Sequence, residues 1–406
     1  MHIEWYQTVS LVFVITQLYF LEFIRRNNQH NLKRKDKDSL NDYRPNVYLT
    51  IPCKGLDTEF EKNISAFFKL AYPNYHLSFV VESEDDPAFP VLSRLKREFA
   101  GQTKALSVQV GVAGVSENAC QKTHNMLHSL KFVPEDTEVL AFADSDARPL
   151  PEWLGSLVHP LKQEKKVGAS TGYRWFIPID GNIPVLFLSI LNAKVAQILG
   201  KSRFNQAWGG SMAIRKDLFY KLDLHKIWQT CVSDDLTLSL QVLKAGYRIR
   251  YSPLCMVASY EAFTWKRLFD FIYRQLMITR VTSPIVWFLG VIASLFSVCG
   301  SWGALIYGIY GLANSLPSAY YALGTSLIFF AAMSVRAYWR QKTMQNLLYR
   351  YREDIQKYSI YDITLSSIVS LFMIVFLFVS AFGRTITWRG VRYKMISAYR
   401  AKRIRN

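Results

Sequence analysis

Three groups of acidic residues have the types and spacing needed to handle a charged leaving group. The first is Glu82, Glu84, Asp85 and Asp86, just beyond the apolar run LSFVV. The second is Asp144, Ser145 and Asp146, after VLAFA. The third is Ser233, Asp234 and Asp235. Carboxylates gathered at strand ends around one crevice repel each other unless a cation stands among them. A nucleotide diphosphate brings such a cation, because Mg2+ or Mn2+ prefers carboxylate and phosphate oxygens together.

In the Asp144-x-Asp146 pair, one carboxylate can reach the metal while the other orients it or contacts ribose or sugar. The metal then neutralises a departing diphosphate. A turn-forming aspartate is the alternative, and the apolar strand before the pair and Pro149 and Pro151 after it weigh against that. Asp235 is the candidate general base: the positive end of a helix dipole favours negative charge there, which suits removal of a proton from an acceptor hydroxyl. Its alternative role is a helix cap, which Ser233 or Asp234 could supply instead. Gly209 and Gly210, in WGGSMAIRK, permit close backbone approach on the acceptor side, where Asp234 is also placed; a plain turn is the alternative. Lys122 and Arg274 are cationic candidates for diphosphate oxygens, and solvated charges otherwise.

The elements that must position these residues alternate between strand and helix patterns. VYLTIPCKG reads as a short strand ending at Pro and Gly. Asp57 can then cap a helix whose apolar face is Phe60, Ile64, Phe67, Phe68 and Leu70. LSFVVE and EVLAFA read as buried strands. Asp234 and Asp235 open an amphipathic helix through Leu236, Leu238, Leu240 and Leu243, closed by Gly246. This alternation predicts an α/β domain with a mostly parallel sheet covered on both faces, with ligands at the carboxyl ends of the strands.

The net charge of +18 would suggest nucleic acid in a soluble protein. Here the basic residues flank apolar runs: Arg25, Arg26, Lys33, Arg34, Lys35 and Lys37 after the first, and Arg384 to Arg405 after the last. That is the positive-inside pattern, with added attraction to anionic lipid headgroups, and no nucleic-acid partner is expected. Trp5 to Ile24 is long enough to span a bilayer. It lacks the flanks of a removable signal peptide. The expected organisation is a transmembrane helix over 1–24, a basic linker over 25–45, and the α/β domain over 46–262. An interfacial segment follows over 263–283, then three apolar runs within 284–383 (Ile285 to Gly311, Leu316 to Val335, Ile363 to Phe382), and a basic tail over 384–406. A basic, aromatic loop separates the last two runs. Three simple spans would put the basic tail on the wrong side, so one run is expected to be re-entrant, split, or in the membrane plane. The five cysteines are widely spaced, which fits packing in a reducing compartment.

Taken together, these blocks resemble the ceramide glucosyltransferase-like branch of inverting glycosyltransferases with the GT-A (Rossmann-like) fold, from about residue 46 to 395. PCKGLDTEFEKNISAFFKLAYPNYHLSFVVESEDDPA is similar to the first block of that family, which implies that Asp86 contacts the nucleotide. FADSDARP resembles the metal-and-sugar block, implicating Asp144 and Asp146. WGGSMAIRKDLF resembles the acceptor-side block, and SDDLTLSLQVLKAGYRI the block carrying the base, here Asp235. TITWRGVRYKM resembles the tail motif. The family's (Q/R)xxRW segment reads RQLMITR here: Arg274 keeps the first position, Met277 and Ile278 replace Arg-Trp, and Gln275 or Arg280 are the candidate substitutes. SENACQKTHNML keeps Lys122 and Asn125 but lacks the usual proline before that lysine.

The resemblance implies transfer of a sugar from a nucleotide diphosphate-sugar, UDP-linked by expectation, to a membrane lipid hydroxyl such as that of ceramide or diacylglycerol. Mg2+ or Mn2+ is the expected cofactor, and the catalytic domain is expected on the cytosolic face, of a bacterial inner membrane rather than a eukaryotic endomembrane. A polysaccharide or polyprenyl-phosphate sugar transferase is the second reading. A non-catalytic membrane scaffold that kept the fold is the third.

Overall fold

A computed structural model describes residues 4–38, 43–117, 120–163, 166–202 and 205–404. Residues 1–3 of the expected first span, 39–42 of the expected linker and 405–406 of the tail lie outside the described residues.

The α/β domain is built on a seven-stranded sheet: β1 (Val47–Pro52), β2 (Tyr75–Val81), β3 (Ser107–Val112), β4 (Val139–Ala143), β5 (Val167–Pro178), β6 (Ser211–Arg215) and β7 (Arg248–Glu261). The spatial order is β3-β2-β1-β4-β6-β5-β7. Every pairing is parallel except the two made by β6, which runs against its neighbours β4 and β5. Continuous apolar runs mark strands covered on both faces, and β1 and β4 are buried at every position. Their side chains alternate. Val47, Leu49, Ile51, Val139 and Ala141 join one core with Phe60, Ile64, Phe67 and Trp153 from the helices on that face. Tyr48, Leu140 and Phe142 join the other core, with Met126, Phe219, Trp228 and Leu238. The α/β architecture with long apolar helices is the one expected.

Among the described residues four helices are long and apolar enough to cross a membrane: Trp5–Lys35, Pro284–Ala313, Ser318–Leu347 and Tyr349–Ser380. They differ in how they meet the α/β domain. The Arg352–Ser380 helix is tied to it at several points, and near its end to the Trp265–Thr282 helix. Tyr260 donates to Asp354 near its start, Tyr358 donates to the Ile179 carbonyl, and Lys194 reaches Ser366 and Ser370 near its middle. Phe372 and Phe376 then meet Phe187 and Phe269.

Three boundaries differ from those the composition suggests. The first helix continues past Ile24 to Asp38, because its polar extension finds partners: Asn27 donates to the carbonyls of Gln197 and Leu199, and Asn31 also to Leu199. The expected loop around 336–357 is largely helix. Arg340 is buried against Asp362, and Met344 and Leu347 pack on the domain, so the Ser318–Leu347 helix runs on beyond its apolar stretch. The basic tail is a three-stranded antiparallel sheet, β8 (Thr385–Trp388), β9 (Val391–Met395) and β10 (Ala401–Ile404). Ile386, Tyr393 and Met395 form its apolar face, set against Met277 and Ile278. The expected interfacial segment is the Trp265–Thr282 helix, capped by Thr264.

Candidate active site

Strand ends deliver the polar residues to one place. Lys54 follows β1, Asp144 and Asp146 follow β4, and Glu261 ends β7. Because β6 runs the other way, its amino end brings Gly209 and Gly210 to the same edge. The Asp234–Lys244 helix presents its first turn there, with the Ser233 side chain accepting from the Leu236 amide as cap. Arg174 lies just beyond a register irregularity between Thr171 and Tyr173 in β5; bulges of this kind re-aim side chains. All but the glycines line one cavity of about 1000 Å³.

A ladder of ion pairs crosses its floor. Lys122 Nζ lies 2.8 Å from Asp144 Oδ1 and 3.1 Å from Asp234 Oδ1. Arg174 bridges the DxD pair, 3.2 Å from Asp144 Oδ2 and 2.9 Å from Asp146 Oδ2. Its guanidinium also stacks 4.5 Å from the Trp208 ring centroid. The two aspartates diverge electrostatically. Burial opposes ionisation of Asp144, but the charges of Lys122 and Arg174 outweigh it and hold its carboxyl below the usual range. At Asp146 burial wins, helped by the neighbouring Asp144, and the carboxyl is raised. Lys122 is pushed up by Asp144 and Asp234 despite its burial. That single ammonium serves both carboxylates and sits nearer Asp144, so at Asp234 burial prevails and the carboxyl rises to about 7. Burial, with Asp146 nearby, likewise raises Glu261 to about 7.

This has a consequence for stability. The folded chain holds the Asp234 proton more tightly than the unfolded chain, so that contribution is complete below about pH 4 and fades as pH rises through about 7. Replacing Asp234 by Asn, which cannot ionise, is expected to flatten the fall in melting temperature between about pH 5 and about pH 8. Glu261 would supply the slope that remains. A slope identical to wild type would contradict the assignment.

Asp235 is held in place by three donors. The Gly209 amide lies 3.0 Å from Oδ2, the Leu236 amide 2.7 Å from Oδ1, and the Ser233 hydroxyl bonds Oδ1 as well. A side chain at Gly209 would run into Asp234 and Lys122. One at Gly210 would meet the Trp208 ring and come within 2.9 Å of Asp144 Oδ2. These glycines therefore let the backbone close against the ion-pair ladder.

Not every expected residue reaches the cavity. Asp86 stands behind its wall, where its carboxylate accepts from the Gly55 amide at 2.8 Å and the Ala88 amide at 2.9 Å. It steadies the turn after β1, in which Gly55 has φ 66°. Arg280 points away, towards Met277 Sδ at 3.1 Å and the Gly383 carbonyl. Gln275 and Arg274 do line the cavity. Among the described residues Arg274 Nε is buried without a hydrogen-bond partner. Burial and repulsion from Arg174 and Arg389 lower its pKa to about 10. Asp57 does not cap a helix with its side chain. Instead it accepts from the Ser145 hydroxyl at 2.6 Å and pairs with Arg389. Arg174 and Glu261 were missed by motif reading, whereas Asp57 was read as a helix cap and Arg389 as part of the basic tail. A charge inside the buried run TGYRWF was the signal for Arg174.

Among the described residues no group of three or more His, Cys, Asp or Glu is placed to hold a metal ion unaided. Asp144 and Asp146 offer two carboxylates, and Asp146 Oδ1 is buried without a hydrogen-bond partner. That set fits a hard divalent cation that takes its remaining oxygens from phosphate and water.

From this polar floor the cavity extends between the long helices. Phe20 and Phe23 of the first helix line it, with Trp287, Leu289 and Ala293 of the Pro284–Val298 helix and Met373 of the Arg352–Ser380 helix.

The chain is similar to several known proteins. A probable glycosyltransferase of Bacillus subtilis (strain 168), YdaM, is 24% identical over 230 residues, covering 55% of this chain and 52% of that protein. The chain thus spans about half the length of that curated relative. Among solved structures, the mannosyltransferase PcManGT from Pyrobaculum calidifontis, in complex with GDP-Man and Mn2+, is 13% identical with a TM-score of 0.42, covering 90% of this chain and 99% of that one. Glucosyl-3-phosphoglycerate synthase from Mycobacterium tuberculosis is 14% identical with a TM-score of 0.33, covering 61% of this chain and 81% of that one. The family description Glycosyl transferase family 21 matches residues 6–401, nearly the whole sequence. The chain belongs to glycosyl transferase family 21.

Proposed function

We propose that this chain transfers a sugar, with inversion, from a nucleotide diphosphate-sugar such as a UDP-sugar to a hydroxyl of a membrane lipid such as ceramide or diacylglycerol. The observation that carries the reading is the single cavity, which joins the aspartate ladder to an apolar arm among the long helices. A lipid acceptor can keep its chains in that arm while its hydroxyl reaches the polar floor. The four long apolar helices are compatible with an integral membrane protein, and the α/β domain would face the cytosol.

Asp144 and Asp146 would hold Mg2+ or Mn2+ together with the diphosphate. Once bound, the cation supplies charge neutralisation for the leaving group. The residues of the chain do the rest. Asp235, fixed by Gly209, Ser233 and Leu236, takes the proton of the acceptor hydroxyl. The hydroxyl oxygen bonds to the anomeric carbon as the bond from that carbon to the diphosphate breaks, and the nucleotide diphosphate leaves. Lys122 and Arg174 keep Asp144 ionised and in place. Asp86 fixes the turn at Gly55, beside which the nucleotide would lie.

The test is a donor and acceptor screen on detergent-purified protein with Mg2+ or Mn2+, read by thin-layer chromatography and mass spectrometry. A glycolipid carrying one added sugar is expected. A polymer or a polyprenyl-phosphate sugar would support the second reading instead. Absence of any nucleotide binding by calorimetry would support the scaffold.

A further inference from the structure

The tail sheet enters the cavity. The β8–β9 hairpin turns at Arg389 and Gly390, which have φ 49° and 80°. Two successive positive φ values make the tight turn that matches strand twist, and a non-glycine residue at the first of them is uncommon. The turn projects Trp388 and Arg389 into the cavity lining. The Trp388 ring centroid lies 5.3 Å from the Arg274 guanidinium. Arg389 pairs with Asp57, itself buried and bonded to Ser145 between the two DxD aspartates. That pair uses part of a five-donor guanidinium, and the Arg389 side chain remains 42% exposed.

We infer that Arg389, held by Asp57 and acting beside Arg274, is a diphosphate-binding residue delivered to the donor site by the tail hairpin. The inference rests on the nucleotide diphosphate-sugar reading above. Lys122 and Arg174 are both committed to carboxylates, whereas among the described residues Arg274 Nε and the remaining edge of Arg389 are not. Burial, with repulsion from Arg174 and Arg389, lowers the pKa of Arg274, and an anion bound beside these guanidinium groups relieves that repulsion. Met277 and Ile278 take part through packing: both are buried, and with Cys120 and Val232 they form the seat for Ile386, Tyr393 and Met395. The helix positions that lack Arg and Trp thus dock a hairpin that supplies both. Asp57 is the positioning residue.

The experiment compares full-length protein in detergent with Mg2+, titrated with UDP and UMP and with GDP and GMP. Wild type is expected to prefer the diphosphate of one pair. In Arg389→Ala that diphosphate is expected to weaken by about ten- to a hundredfold while the monophosphate is unchanged, the loss of charge-assisted hydrogen bonds to the outer phosphate. Arg389→Lys keeps a charge for Asp57 but loses the fork, and an intermediate loss is expected; it also serves if the alanine variant fails to fold. Wild-type discrimination in either folded variant would overturn the inference alone. A wild type that binds no nucleoside diphosphate would overturn the proposed function and this inference with it.

Discussion

Replacing Asp235 by Asn is expected to lower turnover by about 10²–10⁴-fold, the usual share of general base catalysis, without a loss of nucleotide affinity. The side chain has a defined place. Ser233 and Leu236 bond one oxygen and the Gly209 amide the other. Asparagine has the same shape and can keep the bonds to Oδ1, so the helix start should survive and the melting temperature should move little. What it cannot do is accept the proton of the attacking hydroxyl. Asp235→Glu, which keeps the acid one methylene further out, is expected to retain more activity than the amide. Full turnover in Asp235→Asn would move the base elsewhere, and Asp234, adjacent and raised to about 7, would be the first residue to test.

The second large effect is on stability. Lys122→Met removes the one ammonium shared by Asp144 and Asp234. Breaking a buried pair by removing one partner costs about 3–5 kcal/mol, because the other charge is left uncompensated. The two partners should not suffer alike. Asp144 keeps Arg174, whereas among the described residues Asp234 pairs with Lys122 alone and its other oxygen is buried without a hydrogen-bond partner. The melting temperature in detergent is therefore expected to fall most at about pH 8, where Asp234 is ionised, and less at about pH 6, where it can hold a proton. Adding Asp234→Asn should recover part of the loss. A deficit independent of pH, and not relieved in the double variant, would show that the ladder is not what Lys122 supports.

The fold was legible because its signals are local and repeated. LSFVVE and EVLAFA are short apolar runs of the kind that form parallel strands, and the leucine spacing after Asp235 has the helical period. The acidic ends of those strands led to the site. Less legible was anything set by contacts distant in sequence. Nothing near Arg389 says that it meets Asp57, 332 positions away. The polar stretch after Ile24 looks like a linker until Leu199 accepts from Asn27 and Asn31. Asp86 and Asp144 both follow strands in acidic groups, yet one turns to backbone amides and the other into the cavity. That difference depends on the turn at Gly55, which no spacing rule describes. The missing Arg-Trp pair read as a loss, whereas Met277 and Ile278 form the seat for a hairpin bearing Trp388 and Arg389.

The proposed function has one cavity receive both the sugar donor and a lipid resident in the bilayer. Its most direct test is photo-crosslinking of a diazirine-bearing lipid acceptor to the protein in nanodiscs, with labelled residues mapped by mass spectrometry. The Pro284–Val298 helix offers an internal control: Leu289 and Ala293 line the cavity, while Ile285, Phe288 and Ile292 do not. Labelling of Leu289, Ala293 and Met373 that unlabelled acceptor suppresses is the expected result. Labelling confined to Ile285, Phe288 and Ile292, and unaffected by unlabelled acceptor, would contradict it.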